Sequence, residues 1–184
     1  MTALTDTKAR FGAGSIALHW IVALFFIALI VTGYGLMWAP RGPMRGAWVD
    51  AHDAIGFLLV AFAGLRLIWR AFNPLPALTA GPRWENIAAR VVHALLWFFV
   101  LALPLTGWVV ASTGRRPLSV FGWFDFPRIW GNDLPMHRMS EEWHGILSHL
   151  FLIVFALHIL GALKREYGSK DGTLRRMLGR PLAR

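Results

Sequence analysis

Residues 143–163 read WHGILSHLFLIVFALHILGAL and contain no Asp, Glu, Lys or Arg. As a helix rising about 1.5 Å per residue, this stretch is about 30 Å long, the thickness of a bilayer's hydrocarbon core. His144 and His158 stand near its two ends, 14 residues apart. At 100° per residue, 14 steps fall about 40° short of four full turns, so both rings leave from nearly the same face, about 21 Å apart along the axis. His149 points about 140° away from His144 and about 180° away from His158, and reads as structural.

Three further apolar stretches precede this one. Residues 11–40 carry no charged side chain, a second stretch runs from His52 to about Trp69 with Arg66 near its end, and a third runs uncharged from Val91 to Gly114. The fold class expected is all-α: an integral membrane bundle of four transmembrane helices near 15–38, 52–71, 88–112 and 144–164, forming a single domain over 1–184. Pro40 and Pro43 are read as closing the first span, and Asn73, Pro74 and Pro76 as closing the second, because proline cannot continue the helical ladder. Pro104 falls inside the third span, where a kink is expected. The apolar run of the first span is too long for a cleaved signal peptide. The outer connection, 113–143, holds Trp123, Phe124, Phe126 and Trp130 and reads either as a flap over the bundle end or as a loop with aromatic anchors. No repeat or low-complexity tract stands out.

Composition agrees. Hydrophobic residues make up 56% and charged residues 16% of the 184, against about 25% charged in a soluble domain. Ten tryptophans suit membrane–water interfaces. With no cysteine, disulfides, zinc–thiolate sites, iron–sulfur clusters and thioether-linked haem are excluded. Thirteen of the 19 basic residues, from Lys8 to Arg184, lie at the two termini and the second connection, beside four acids; the other connections balance six against six. The positive-inside rule then puts both termini in the cytoplasm, and the net charge of +9 meets anionic lipid rather than nucleic acid.

Ionisable residues inside spans are costly and usually functional. Depth matching places His52, which opens the second span, level with His144, and His19 level with His158. Two imidazoles facing each other suit an iron held between axial ligands, and bundle cores hold such sites on facing helices. His93 lies at the same depth as His19, and spacing alone does not choose between them. Arg66, 14 residues after His52, falls at inner depth on the same face, where it would meet a propionate or snorkel to lipid phosphate; Arg70 follows one turn later. Gly33 and Gly107 stand 14 residues after His19 and His93 and leave room for a flat macrocycle or for helix contact. His137, in the outer connection, reads as a surface residue.

Leu18-His19-Trp20, His52, Arg66 with Arg70, Val92-His93, Ala102-Leu103-Pro104-Leu105-Thr106-Gly107, Trp143-His144 through Leu157-His158, and Lys170-Asp171-Gly172-Thr173-Leu174-Arg175-Arg176-Met177 follow one another in an order that resembles the prokaryotic cytochrome b561 family. The resemblance covers most of the chain. It implies a multi-pass protein of the bacterial inner membrane with two haem b groups, the outer one on His52 and His144 and the inner one on His19 and His158, with His93 close to an inner propionate. It also implies quinone as substrate or acceptor, and an oxidoreductase activity like that of superoxide:quinone oxidoreductases. Membrane lipid, quinone and a redox partner protein are the expected partners; nucleic acid is not. The balanced outer charge gives superoxide steering only partial support, through arginines such as Arg115 and Arg116. Two other readings remain: a haem-bearing membrane anchor of a separate dehydrogenase, and a histidine-relay transporter, which predicts no tight cofactor.

Overall fold

In the computed structural model, which describes residues 3–8, 10–73, 76, 81–117, 119–120 and 124–180, four long helices follow one another: α1 (Ala13–Trp38), α2 (Pro43–Phe72), α3 (Arg83–Thr113) and α4 (Leu134–Leu163). Each is long and apolar enough to cross a membrane. Leu24, Leu105 and Ile153 are all more than half exposed. Such surface is a liability in water and ordinary in lipid, whose tails are as apolar as leucine. The chain is an all-α, multi-pass membrane protein. Pro74, Trp123 and Arg184 lie outside the described residues.

Two helices begin earlier than hydropathy suggests. Pro43 does not close the first span; it opens α2, where a missing N–H costs nothing, just after Gly42 turns the chain at φ 134°. α4 starts at Leu134, ten residues before His144. Asp133 caps it, its Oδ1 accepting the Met136 N–H at 3.0 Å. The connection from α3 is therefore 114–133, and His137 lies on a helix rather than in a loop. α3 continues through Pro104.

That connection carries a two-residue antiparallel pair, β1 (Ser119–Val120) with β2 (Phe124–Asp125). Phe126 then stacks on Phe57 at 3.9 Å and meets Trp108 edge-on at 5.1 Å, while the Trp108 indole donates to the Pro127 carbonyl at 2.9 Å. These contacts hold the connection against α2 and α3. Arg128 donates to the carbonyls of Ser112 (3.0 Å) and Gly114 (2.6 Å), satisfying acceptors that the end of α3 leaves unpaired.

The chain forms two compact units: Met1–Trp20, Gly64–Phe99 and Leu150–Arg184 make one; Ile21–Ala63 and Val100–His149 make the other. Each holds part of all four helices. After α4 the first unit turns through a π-helical segment, Lys164–Gly168, into the short α5 (Thr173–Met177). Glu166 accepts the backbone N–H groups of Leu174 and Arg175 and the Arg175 Nε at 2.6 Å. Asp171 pairs with Arg165 at 2.7 Å and accepts the Thr173 N–H and hydroxyl. Trp20 on α1 donates to the Met177 carbonyl, tying α5 down.

The N-terminal segment of the same unit hangs on one carboxylate. Asp6, 7% exposed, accepts the Gly12 N–H at 2.7 Å and the Ser15 hydroxyl at 2.6 Å; Ser15 in turn accepts the Trp69 indole N–H at 2.9 Å. Asp6→Ala leaves buried donors unmatched and is expected to cost about 1–3 kcal/mol, read as a lowered unfolding midpoint in detergent.

Candidate functional site

In the second unit, α2 presents His52 and α4 presents His144, with ring centres 6.2 Å apart. Each ring is oriented by a threonine on a neighbouring helix. His52 Nδ1 lies 2.9 Å from Thr32 Oγ1, and His144 Nδ1 lies 3.0 Å from Thr106 Oγ1. Both hydroxyls already donate to the carbonyl four residues back, Ala28 at 2.9 Å and Ala102 at 2.8 Å. A hydroxyl has one proton, so each threonine accepts from the imidazole, and Nδ1 of both histidines carries the hydrogen. The Nε2 lone pairs are left to bind a metal, with the ring held by the acceptor behind it as metal-bound histidines usually are. The next residue in each case is glycine. A Cβ on Gly33 would lie 3.6 Å from His52 Cε1, and one on Gly107 would lie 3.3 Å from His144 Cε1, so both histidine rings sit directly against bare backbone.

In the first unit, His19 on α1 and His158 on α4 also have ring centres 6.2 Å apart. His93 on α3 sits 5.4 Å from His158. A metal–imidazole bond is about 2.0–2.1 Å and the nitrogen lies about 1.1 Å from its ring centre, so two imidazoles trans on one metal have centres roughly 6.3 Å apart. His52–His144 and His19–His158 fit that spacing; His93–His158 falls well short. His93 is also exposed, whereas His19, His52, His144 and His158 are half-buried. Among the described residues no group of three or more His, Cys, Asp or Glu side chains could hold a metal. Histidine pairs at this spacing suit a metal whose remaining ligands come from a macrocycle.

Arg66 reaches this second cluster. Its guanidinium lies 4.9 Å from the Trp97 ring centre and donates to His19 Nδ1 at 3.2 Å. A guanidinium only donates, so His19 Nδ1 accepts here, unlike Nδ1 of His52 and His144. The two histidine pairs are thus not built alike. Arg70, one turn beyond Arg66, donates to the Asn73 carbonyl at 3.3 Å. His149 is exposed and bonds its own helix at the Gly145 carbonyl, 2.7 Å away, matching a structural role.

Thr32 and Thr106 were missed by reading histidines alone. The signal was present: Thr-Gly follows a histidine by 13 residues in both α1 (His19, Thr32-Gly33) and α3 (His93, Thr106-Gly107), a repeat between the two helices. The third Thr-Gly of the sequence, Thr113-Gly114, faces His137.

Residues 10–180 match the family profile described as prokaryotic cytochrome b561. The chain belongs to the prokaryotic cytochrome b561 family. Cytochrome b561 homolog 2 of Escherichia coli (strain K12) is 29% identical over 181 residues, spanning 96% of this chain and 95% of its own length. A probable superoxide oxidase CybB of Yersinia pestis is 24% identical over 92% of the chain and 96% of its own length. A probable Ni/Fe-hydrogenase B-type cytochrome subunit of Azotobacter chroococcum mcd 1 is 26% identical over 88% of the chain and 82% of its own length. As a cytochrome b561 the protein is a bacterial membrane haem protein of the b type. That replaces the relay-transporter reading, which predicted no tight cofactor.

Proposed function

We propose that the chain carries two haem b groups, one between His52 and His144 and one between His19 and His158, and passes electrons between a donor and the quinone pool. The observation that carries this is the 6.2 Å separation of ring centres in both pairs, the spacing of trans imidazoles on one metal. Bound haem supplies one-electron redox chemistry at its iron. His52 with His144 and His19 with His158 would hold the two groups. Thr32 and Thr106 fix the tautomer of their histidines. Gly33 and Gly107 let the His52 and His144 rings lie against bare backbone. Arg66 stands beside the His19 ring, where a propionate is a better-matched partner for its guanidinium than a neutral imidazole; pairing there leaves His19 Nδ1 its own proton, as ligation through Nε2 requires. His93 neighbours the same site, and Arg70 follows Arg66 by one helical turn. The excess of basic residues at the termini and the second connection supports a cytoplasmic location for both termini.

Reduction of the purified protein by superoxide and by quinol, compared side by side, tests this reading and its direction. A low-spin, fully reducible spectrum with two haems per chain is expected; a protein without one would sink the proposal. The relatives described as hydrogenase cytochrome subunits favour a second role, in which the same haems wire a separate dehydrogenase to quinone. Co-purification of a soluble redox subunit distinguishes it.

A further inference from the structure

The pattern that α1–α2 shares with α3–α4 breaks at one position. In α1 and α3 a histidine is followed 13 and 14 residues later by Thr-Gly: His19 by Thr32-Gly33, His93 by Thr106-Gly107. In α2 and α4 a histidine is followed 14 residues later by a second residue on nearly the same face: His52 by Arg66, His144 by His158. Arg66 therefore stands in α2 where α4 has a histidine.

That exchange makes the two histidine pairs electrically different. In the second unit both rings have a neutral hydroxyl behind Nδ1, Thr32 at 2.9 Å and Thr106 at 3.0 Å. An acceptor there raises the donor strength of the imidazole, which favours ferric iron. In the first unit His19 Nδ1 faces a donor, the Arg66 guanidinium at 3.2 Å, and among the described residues no acceptor stands behind Nδ1 of His158.

Arg66 does not lose its charge. It is half-buried, and the Trp97 ring, 4.9 Å away, helps to hold it in place. Among the described residues no carboxylate is ion-paired with it. Ferric haem carries one more positive charge than ferrous haem, so a fixed cation nearby disfavours the ferric form, and partial burial limits screening by salt. A guanidinium turned to a propionate cancels a negative charge instead, and the effect has the same sign.

We infer that Arg66 holds the midpoint potential of the haem at His19 and His158 above that of the haem at His52 and His144, and so gives electron transfer through the chain its direction. The inference rests on the two-haem reading above. One electron passes from ferrous iron at His52 and His144 to ferric iron at His19 and His158; no bond forms or breaks and no proton moves. Arg66 acts through its charge and ligates nothing.

The test is a redox titration of the full chain, with the two low-spin resonance signals followed separately. The single-haem proteins His144→Ala and His158→Ala identify which signal belongs to which pair. In the native protein the haem at His19 and His158 is expected to have the higher potential. Arg66→Gln keeps a hydrogen-bond donor and removes the charge. A unit charge within about 12 Å, at an effective dielectric constant of about 20, changes the ferric-to-ferrous preference about tenfold or more. Arg66→Gln is therefore expected to lower the potential of that haem alone by about 59 mV or more. Arg66→Lys, which keeps the cation, is expected to return most of the shift. Equal or reversed potentials in the native protein overturn the inference. So does an unchanged potential in Arg66→Gln, an equal fall at both haems, or a value for Arg66→Lys as low as that for Arg66→Gln. Loss of haem from Arg66→Gln also overturns it, by making Arg66 a residue that retains the group rather than one that sets its potential. Failure of the underlying two-haem reading appears separately, as a native protein with fewer than two haems per chain.

Discussion

Replacement of His144 by alanine is expected to leave one haem per chain in place of two. The ring that pairs with His52 at 6.2 Å is lost, and no other histidine of the second unit takes its place: His137 is held by Val110 and Thr113, and His149 is exposed and bonded to its own helix. His158→Ala is expected to remove the other haem instead, and His19→Ala to do the same, whereas His93→Ala keeps both because its ring is too close to His158 for a trans pair. Haem per protein from the pyridine haemochrome, with low-spin resonance signals counted separately, gives the answer. Retention of two haems in both His144→Ala and His158→Ala would overturn the assignment, and retention in His19→Ala with loss in His93→Ala would move the ligand to α3.

The second large effect belongs to a residue that touches no iron. Thr106→Val removes the acceptor behind His144 and keeps the side-chain shape. The Nδ1 hydrogen then loses its partner at 3.0 Å, the imidazole becomes a weaker electron donor, and the ring loses its fixed orientation. Loss of the hydrogen bond behind a metal-binding imidazole costs about 10–100-fold in metal affinity, and haem retention through dilution and washing is expected to fall accordingly. A weaker donor stabilises ferric iron less than ferrous, so the midpoint potential of this haem moves upward, by about 59 mV for each tenfold change in relative stability. Thr32→Val acts in the same direction through His52. The potential of the haem at His19 and His158 is expected to stay in place. A purely structural role for Thr106 predicts lower stability with no shift in potential.

The four spans were legible because long uncharged runs have few alternatives. The early starts of α2 and α4 were not, because Arg45, Asp50, Arg138, Glu141 and Glu142 interrupt the hydropathy there; the helices carry on past the apolar core. Local chemistry marked the true start of α4, where Asn132-Asp133-Leu134-Pro135 combines a capping carboxylate with an early proline. Helical spacing was enough to put His144 and His158 on one face. It left His19 and His93 open as partners of His158, because both lie at the same depth; the ring separations favour His19. The threonines behind the rings need a contact between different helices, which no spacing within one helix reveals. Reading His137 as a surface residue followed directly from reading 113–143 as a loop.

The seven-residue step between His137 and His144 sets what changes in length the protein tolerates there. Seven residues turn a helix to within about 20° of two full turns, and α3 carries the matching step from Thr106 to Thr113. One residue inserted between His137 and His144 would swing His137 by about 100° away from Thr113 and Gly114 while His144 kept Thr106 and Gly107. Gain or loss of chain is therefore neutral for both histidines only in steps close to whole turns, such as seven or eleven residues, and only when α3 changes with α4. A lineage could shed the outer histidine by a single indel and still remain a cytochrome.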